Sequence, residues 1–166
     1  MKKLSKIDES AWGDMRKRSS GEQIRKEDEF NPEYIDFGEG TSVVWATEAL
    51  EIEGEVKFSF EDVKNYNNNG WRLPTVKEVQ QIDFNRDNVR IYWVSGYNTL
   101  QFPEGKIKIH TDESGRGFHM WTKDRHEKWN NDAYTYGYDN SYTFNIDSTN
   151  IHINKCYVFL VKDKTY

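Results

Sequence analysis

Ten residues, Gly70-Trp71-Arg72-Leu73-Pro74-Thr75-Val76-Lys77-Glu78-Val79, constrain the fold of this chain more than any other stretch. Pro74 keeps the residue before it extended. Thr75 and Glu78 form a T-x-x-E capping box, in which a hydroxyl and a carboxylate satisfy backbone N–H groups at a helix start. Val76, Val79 and Ile82 supply one apolar stripe for the helix that follows. Upstream, Ser59 and Asp62 open an earlier helix, expected to run about two turns through Val63 and Tyr66 and to stop at Gly70 after Asn67-Asn68-Asn69. The segment reads as a joint between two short helices, with Trp71 and Leu73 set to plug a core.

The remainder reads as strands. Val43, Val44 and Trp45 form a buried strand, and "EIEGEVKFSF" a loop or strand pair. After Asn88 come "RIYWVSG", "GKIKIHT" and "GFHMWTKD", the last behind a Gly115-Arg116-Gly117 turn. Tyr134, Tyr136 and Tyr138 recur at period two, turn at Asp139-Asn140, and return through Tyr142 and Phe144. The apolar run from Cys156 to Val161 has the pattern of one strand buried on both faces. Alanine is scarce and Asn abundant, which favours strands and turns over long helices. The expectation is an α+β domain over 33–166, two short helices packed on a mostly antiparallel twisted sheet with long loops. Residues 1–32 mix both charge signs densely and read as an extension outside the core. Within it Ile7, Trp12 and Met15, with Arg16, Lys17 and Arg18 behind them, form a short amphipathic segment able to order on a partner.

Leu, Ile, Val and Phe are few, so a core in a chain of 166 residues has to rest on its 6 Trp and 10 Tyr, each a large apolar face with a polar handle. A net charge of −5 and a pI near 5.4 argue against gripping phosphate backbones, which needs clustered Lys and Arg. No apolar run reaches the length of a membrane helix, and the basic start lacks the apolar segment of a secretion signal. One cysteine, Cys156, cannot form an intramolecular disulfide and fits a reducing compartment.

The order of "VVWATEAL", a short helix ending in Asn and Gly, "GWRLPTVKEVQQI", "MWTKD", "NNDAYTYGY" and "CYVFLVKD" resembles the C-type-lectin-like fold over about residues 41 to 163. Within that fold it is most similar to domains of the Lcl C-terminal type, and more distantly to formylglycine-generating enzymes and to variable proteins of diversity-generating retroelements. Trp71, Arg72, Leu73, Pro74 and Thr75 match the G-W-R-L-P-T joint, with Glu78 completing its cap. Trp121 and Thr122 match the W-S/T step of a core strand, and Val158, Leu160, Val161 and Lys162 the closing strand. The stretch from Asn85 to Gly117 is longer than the pattern. The leader resembles those of virion proteins from tailed phages of gut Bacteroidales. The resemblance implies a non-enzymatic binding or structural protein of a virion, held to other virion proteins through Ile7, Trp12, Met15, Arg16 and Arg18, and a homo-oligomer, with a trimer as one form. Alternatives are an exported bacterial glycan-binding protein and, third, a formylglycine-generating type of enzyme.

The residues themselves supply little for the enzyme reading. Cys156 sits in the most apolar run, where a thiol behaves as a small hydrophobe. His110, His119, His126 and His152 lack zinc-ligand spacing, and His110 and His152 read as half-exposed sheet residues. No cofactor is expected. "WNND", Trp129 to Asp132, resembles the W-N-D of calcium-binding lectins, but with one inserted residue and without the companion loop of oxygen ligands, so a surface turn is expected and no metal. The binding lead is the aromatic and amide wealth around Trp129, Asn131, Tyr134, Tyr136 and Tyr138, the chemistry of loop paratopes and sugar platforms. The same tyrosine stripe also fits a sheet face packed on a neighbour.

Overall fold

The computed structural model describes residues 30–94, 97–110, 117–139 and 143–164. Ile7, Trp12, Met15, Arg16, Arg18, the Gly115-Arg116 pair, Asn140 and Tyr142 lie outside the described residues. The chain is of the α+β class: eleven short strands among the described residues, and two helices of one turn each.

The joint forms as its capping box dictates. Helix α2, Val76–Val79, starts at Thr75, whose hydroxyl accepts from the Glu78 N–H while the Glu78 carboxylate accepts from the Thr75 N–H. A further carboxylate, Asp124, accepts from the Val76 N–H at 2.8 Å. Helix α1, Phe60–Val63, is capped by Ser59 as expected but ends a turn early. A helix this short has no stability of its own; burial of Phe60 and Val63 holds it, and Tyr66 packs on the same cluster from beyond its end. Gly70 is not its stop. Asn69 (φ 56°) and Gly70 (φ 85°) are the centre of a two-residue turn closed by paired hydrogen bonds between Asn68 and Trp71, the left-handed geometry that Asn-Gly favours. The packed chain also begins slightly before the expected boundary. The Phe30 N–H donates to the Asn68 side chain, and its ring meets Trp71 edge-on at 5.9 Å.

In place of the single sheet expected, the described residues form three. The first joins β1 (Tyr34–Ile35), β2 (Val43–Ala46) and β11 (Val161–Asp163) in the order β1-β2-β11. The second has five strands, β3 (Lys57–Phe58), β10 (Cys156–Tyr157), β7 (Phe118–Arg125), β8 (Asp132–Tyr138) and β9 (Asn145–Asn150), in that order. It is antiparallel except where β10 runs parallel to β7. The third is the meander β4 (Arg90–Val94), β5 (Tyr97–Phe102) and β6 (Gly105–His110), which accounts for most of the long 85–117 stretch. The apolar run 156–161 is buried throughout but is not one strand: it leaves the five-stranded sheet after Tyr157 and joins the three-stranded one at Val161. Between them, the Val158 and Leu160 carbonyls accept from Leu50 and Ala46. Uniform burial reads the same whether a segment lies in one sheet or crosses between two.

Two apolar clusters flank the five-stranded sheet, following the period-two alternation of its strands. Phe118, Met120, Tyr136 and Tyr138 face the larger one, where they meet the inner side of the meander through Leu100, Phe102, Ile107 and Ile109. Phe84 is its hub, with Phe102, Tyr136 and Phe144 rings within 5.3 Å. Trp121, Ala133 and Cys156 face the second cluster, with Trp71, Leu73, Phe60 and Val63. Pro74 is buried beside them, and its carbonyl accepts from the Lys123 N–H at 2.7 Å.

Arg72 ties the joint to the closing strand. Its backbone pairs with Val161, while its guanidinium donates twice to Glu78, at 2.9 and 2.8 Å, and once to Asp163 at 2.7 Å. Burial pushes the Glu78 carboxyl up, but the bonds from Arg72 and the Thr75 N–H outweigh it and hold the group below its ordinary value. A depressed carboxyl stabilises the fold fully above its unfolded value, near 4.5, and loses that contribution as pH falls through the folded value. Wild-type stability is therefore expected to fall with acidification below about pH 4.5 through this group. Arg72→Leu leaves Glu78 half-buried and unpaired, which costs about 2 kcal/mol at pH 7. It also reverses the sign: stability of the variant should rise as pH drops toward 5. Urea titrations of both proteins between pH 4 and 7 measure this directly, and parallel pH curves would exclude the coupling.

Candidate functional site

The β7 to β8 connection, residues 126–131, is the best-braced exposed loop near the aromatic candidates. The His126 N–H donates to the Asp132 carbonyl at 2.9 Å, and the Asp132 N–H returns to the Trp129 carbonyl at 3.1 Å. The His126 Nδ1 accepts from the backbone N–H groups of Lys128 and Trp129, at 3.0 and 3.2 Å. With Nδ1 an acceptor, the ring proton of the neutral imidazole sits on Nε2. The Arg125 guanidinium donates to the Asn130 carbonyl, and the Ile151 N–H to the Asn131 carbonyl. Almost every turn of this loop is closed by its own hydrogen bond, so its shape is set before any ligand arrives.

What the loop presents is a stack. The His126 ring lies 4.5 Å from the Trp129 indole at 14°, and 4.9 Å from the Tyr134 ring at 30°. Trp129 nevertheless remains 61 % exposed, so the indole is held flat by the imidazole and still offers a broad face to solvent. The Asn131 side chain makes no hydrogen bond among the described residues and lies two residues further along the chain. Beyond the Asn131 to Ile151 bond lies the 151–153 turn, where Ile153 is 78 % exposed. A flat apolar face beside unengaged amides suits a ligand with one apolar face and a hydroxylated edge.

The structure divides the five sequence candidates. Trp129, Asn131 and Tyr134 come together at this rim. Tyr136 and Tyr138, expected as ligand contacts, instead lie in the larger core cluster. Tyr136 is 7 % exposed and stacks on Phe144 at 5.4 Å; Tyr138 is 1 % exposed, its hydroxyl accepting from the Asn98 amide at 2.7 Å. The reason is geometric: β8 runs from the rim into the middle of the sheet, so residues sharing one face differ in depth. His126 escaped the sequence reading, although a His three residues before a Trp in a short connection was a usable signal. His152 lies in the turn after β9 and not in a strand, while His110 is in β6. "WNND" is a turn: the Asp132 carboxylate accepts from the Ser148 hydroxyl, and among the described residues no three His, Cys, Asp or Glu side chains converge. Cys156 is 5 % exposed, and burial pushes its thiol up to about 12, so it is protonated at neutral pH.

Neither a known protein family, nor a curated protein, nor a solved structure matches the chain. Its fold is defined at the level of class, α+β, and the Trp129 rim is its candidate site.

Proposed function

We propose that this chain is a non-enzymatic binding module of the C-type-lectin-like kind, which takes a glycan on the Trp129 platform. The observation that carries the reading is an indole 61 % exposed on a loop braced by its own hydrogen bonds, because the His126 ring backs one side of a large apolar group whose remainder is held in water on a rigid support. The G-W-R-L-P-T joint with its capping box, the buried Trp121 of the W-T step and the closing strand at Val161 support the lectin-like assignment. The N-terminal segment would hold the module to a phage virion as a homo-oligomer. An exported bacterial glycan-binding protein would use the same platform in another place.

Glycan-array screening followed by titration of the best ligand tests the site. Trp129→Ala should weaken binding at least tenfold, about 1.4 kcal/mol, with a melting temperature within a degree or two of wild type, since the loop bonds at this position are made by its backbone. Equal affinity in the variant would remove the platform from the function. A proteomic inventory of purified particles that lacks the chain would remove the virion assignment and leave the glycan site standing.

A further inference from the structure

Among the described residues six strands lie at sheet edges, where unpaired backbone donors and acceptors are open to another strand. Five of the six are guarded. β1 and β3 are only two residues long. The backbone of β11 pairs with Arg72 at Val161, and the Lys108 N–H of β6 donates to the Thr47 carbonyl at 2.9 Å. On β9 the Asp147 carboxylate accepts from the Ser148 N–H at 2.8 Å, and the Asn150 carbonyl accepts from the Asn154 N–H. The sixth edge, β4, has none of these devices. It runs five residues, Arg90-Ile91-Tyr92-Trp93-Val94, pairs with β5 without a bulge, and apart from Arg90 consists of strand formers.

The register settles which of its backbone groups face outward, because bonded and unbonded pairs alternate along an antiparallel ladder. The Lys108 N–H points away from β5 to Thr47, so Lys108 and its β5 partner Thr99 exchange no bonds, and Thr99 bonds toward β4 instead. Thr99 lies opposite Tyr92, which is therefore bonded to β5, and Ile91 and Trp93 turn their N–H and C=O groups outward. Those of Ile91 meet no hydrogen-bond partner among the described residues. Beside them Tyr92 is 50 % exposed on the solvent face of the meander, since Ile91 next to it packs on the larger core cluster.

We infer that β4 is the interface with a second copy of this chain, each strand antiparallel to the other about a twofold axis at Tyr92. An outward-facing residue bonds only to another outward-facing one, and this register sets Ile91 opposite the partner's Trp93 on both sides of the axis. Arg90 falls opposite the partner's Val94, so no like charges meet. The two Tyr92 residues become direct neighbours, with Cα atoms about 4.5 Å apart, and cover each other's exposed rings. β4 is thus complementary to itself in length, bonding parity and charge, which is what a self-matched twofold contact demands and an unrelated strand need not meet. The result is one continuous sheet of two meanders. This contact holds whether or not the Trp129 platform takes a glycan.

Sedimentation and amide exchange of the full chain test it. Wild type is expected to pass from monomer to dimer as its concentration rises, with the Ile91 amide exchanging about tenfold more slowly in the dimer and the Tyr92 amide, already bonded to β5, little changed. Tyr92→Lys and Tyr92→Glu each set like charges across the axis and remove the ring pair, which should weaken the dimer about tenfold. The side chain is half-exposed, so both variants fold. Mixing the two should restore the dimer, because position 92 meets its own copy only in this register. A wild type that stays monomeric or forms a trimer, variants that dimerise as wild type does, or a mixture that fails to recover would each overturn the inference. So would an Ile91 amide protected only by an added extended peptide of another sequence.

Discussion

Gly137→Ala is expected to cost roughly 3 kcal/mol, at the upper end for overpacking, and to lower the melting temperature by about 6–12 °C in a chain of this size. The backbone at Gly137 is not in a region reserved for glycine; the constraint is proximity. A Cβ there would overlap the Phe118 carbonyl oxygen and come within 2.8 Å of the His119 Cα. Both neighbours are backbone atoms of β7, directly across the ladder from Gly137, so no side-chain rotation relieves the contact. The strand pair has to open, within the sheet that carries the Trp129 rim. An unchanged denaturation midpoint in the variant would mean that β7 and β8 do not approach so closely.

The second large effect concerns two tryptophans of equal burial and unequal bonding. Trp121 is 0 % exposed, donates its indole N–H to the Phe58 carbonyl at 2.7 Å and meets Phe60 edge-on at 5.4 Å. Trp45 is 1 % exposed, and its indole nitrogen has no hydrogen-bond partner among the described residues. Trp121→Ala should cost about 3–5 kcal/mol from lost burial and the cavity left behind. Replacement by Phe separates the two residues more finely. Trp121→Phe strands a buried carbonyl, and Trp45→Phe removes a donor that was satisfying nothing, so the first should exceed the second by about 1–3 kcal/mol. Urea denaturation of the three variants gives the comparison; equal costs for the two Phe variants would show that the Phe58 bond contributes nothing net.

Local chemistry was legible where a few adjacent residues settle the outcome. The Thr75 and Glu78 capping box, the Ser59 cap and the buried strand at Val43 need nothing beyond their own neighbours, and each forms as read. Gly70 shows the limit of that method. Asn-Gly signals a left-handed turn, but whether the turn ends a helix or closes a two-residue hairpin depends on where the preceding helix stops. That stop falls at Val63, although Tyr66 beyond it still packs on the core. Cys156 to Val161 shows the same limit for strands, since burial alone does not say which sheet a residue joins.

The site divides along the same line. Trp129, Asn131 and Tyr134 were named from composition, but so were Tyr136 and Tyr138, because period two reports which face a residue shares and not its depth beneath the rim. The sequence by itself determined the α+β class, the helix starts, the aromatic nature of the core and the loop that bears Trp129, because caps, turns and apolar periodicity act over a few residues. The tertiary structure alone decided the partition into three sheets and the depth of each tyrosine, because these follow from contacts between residues tens of positions apart.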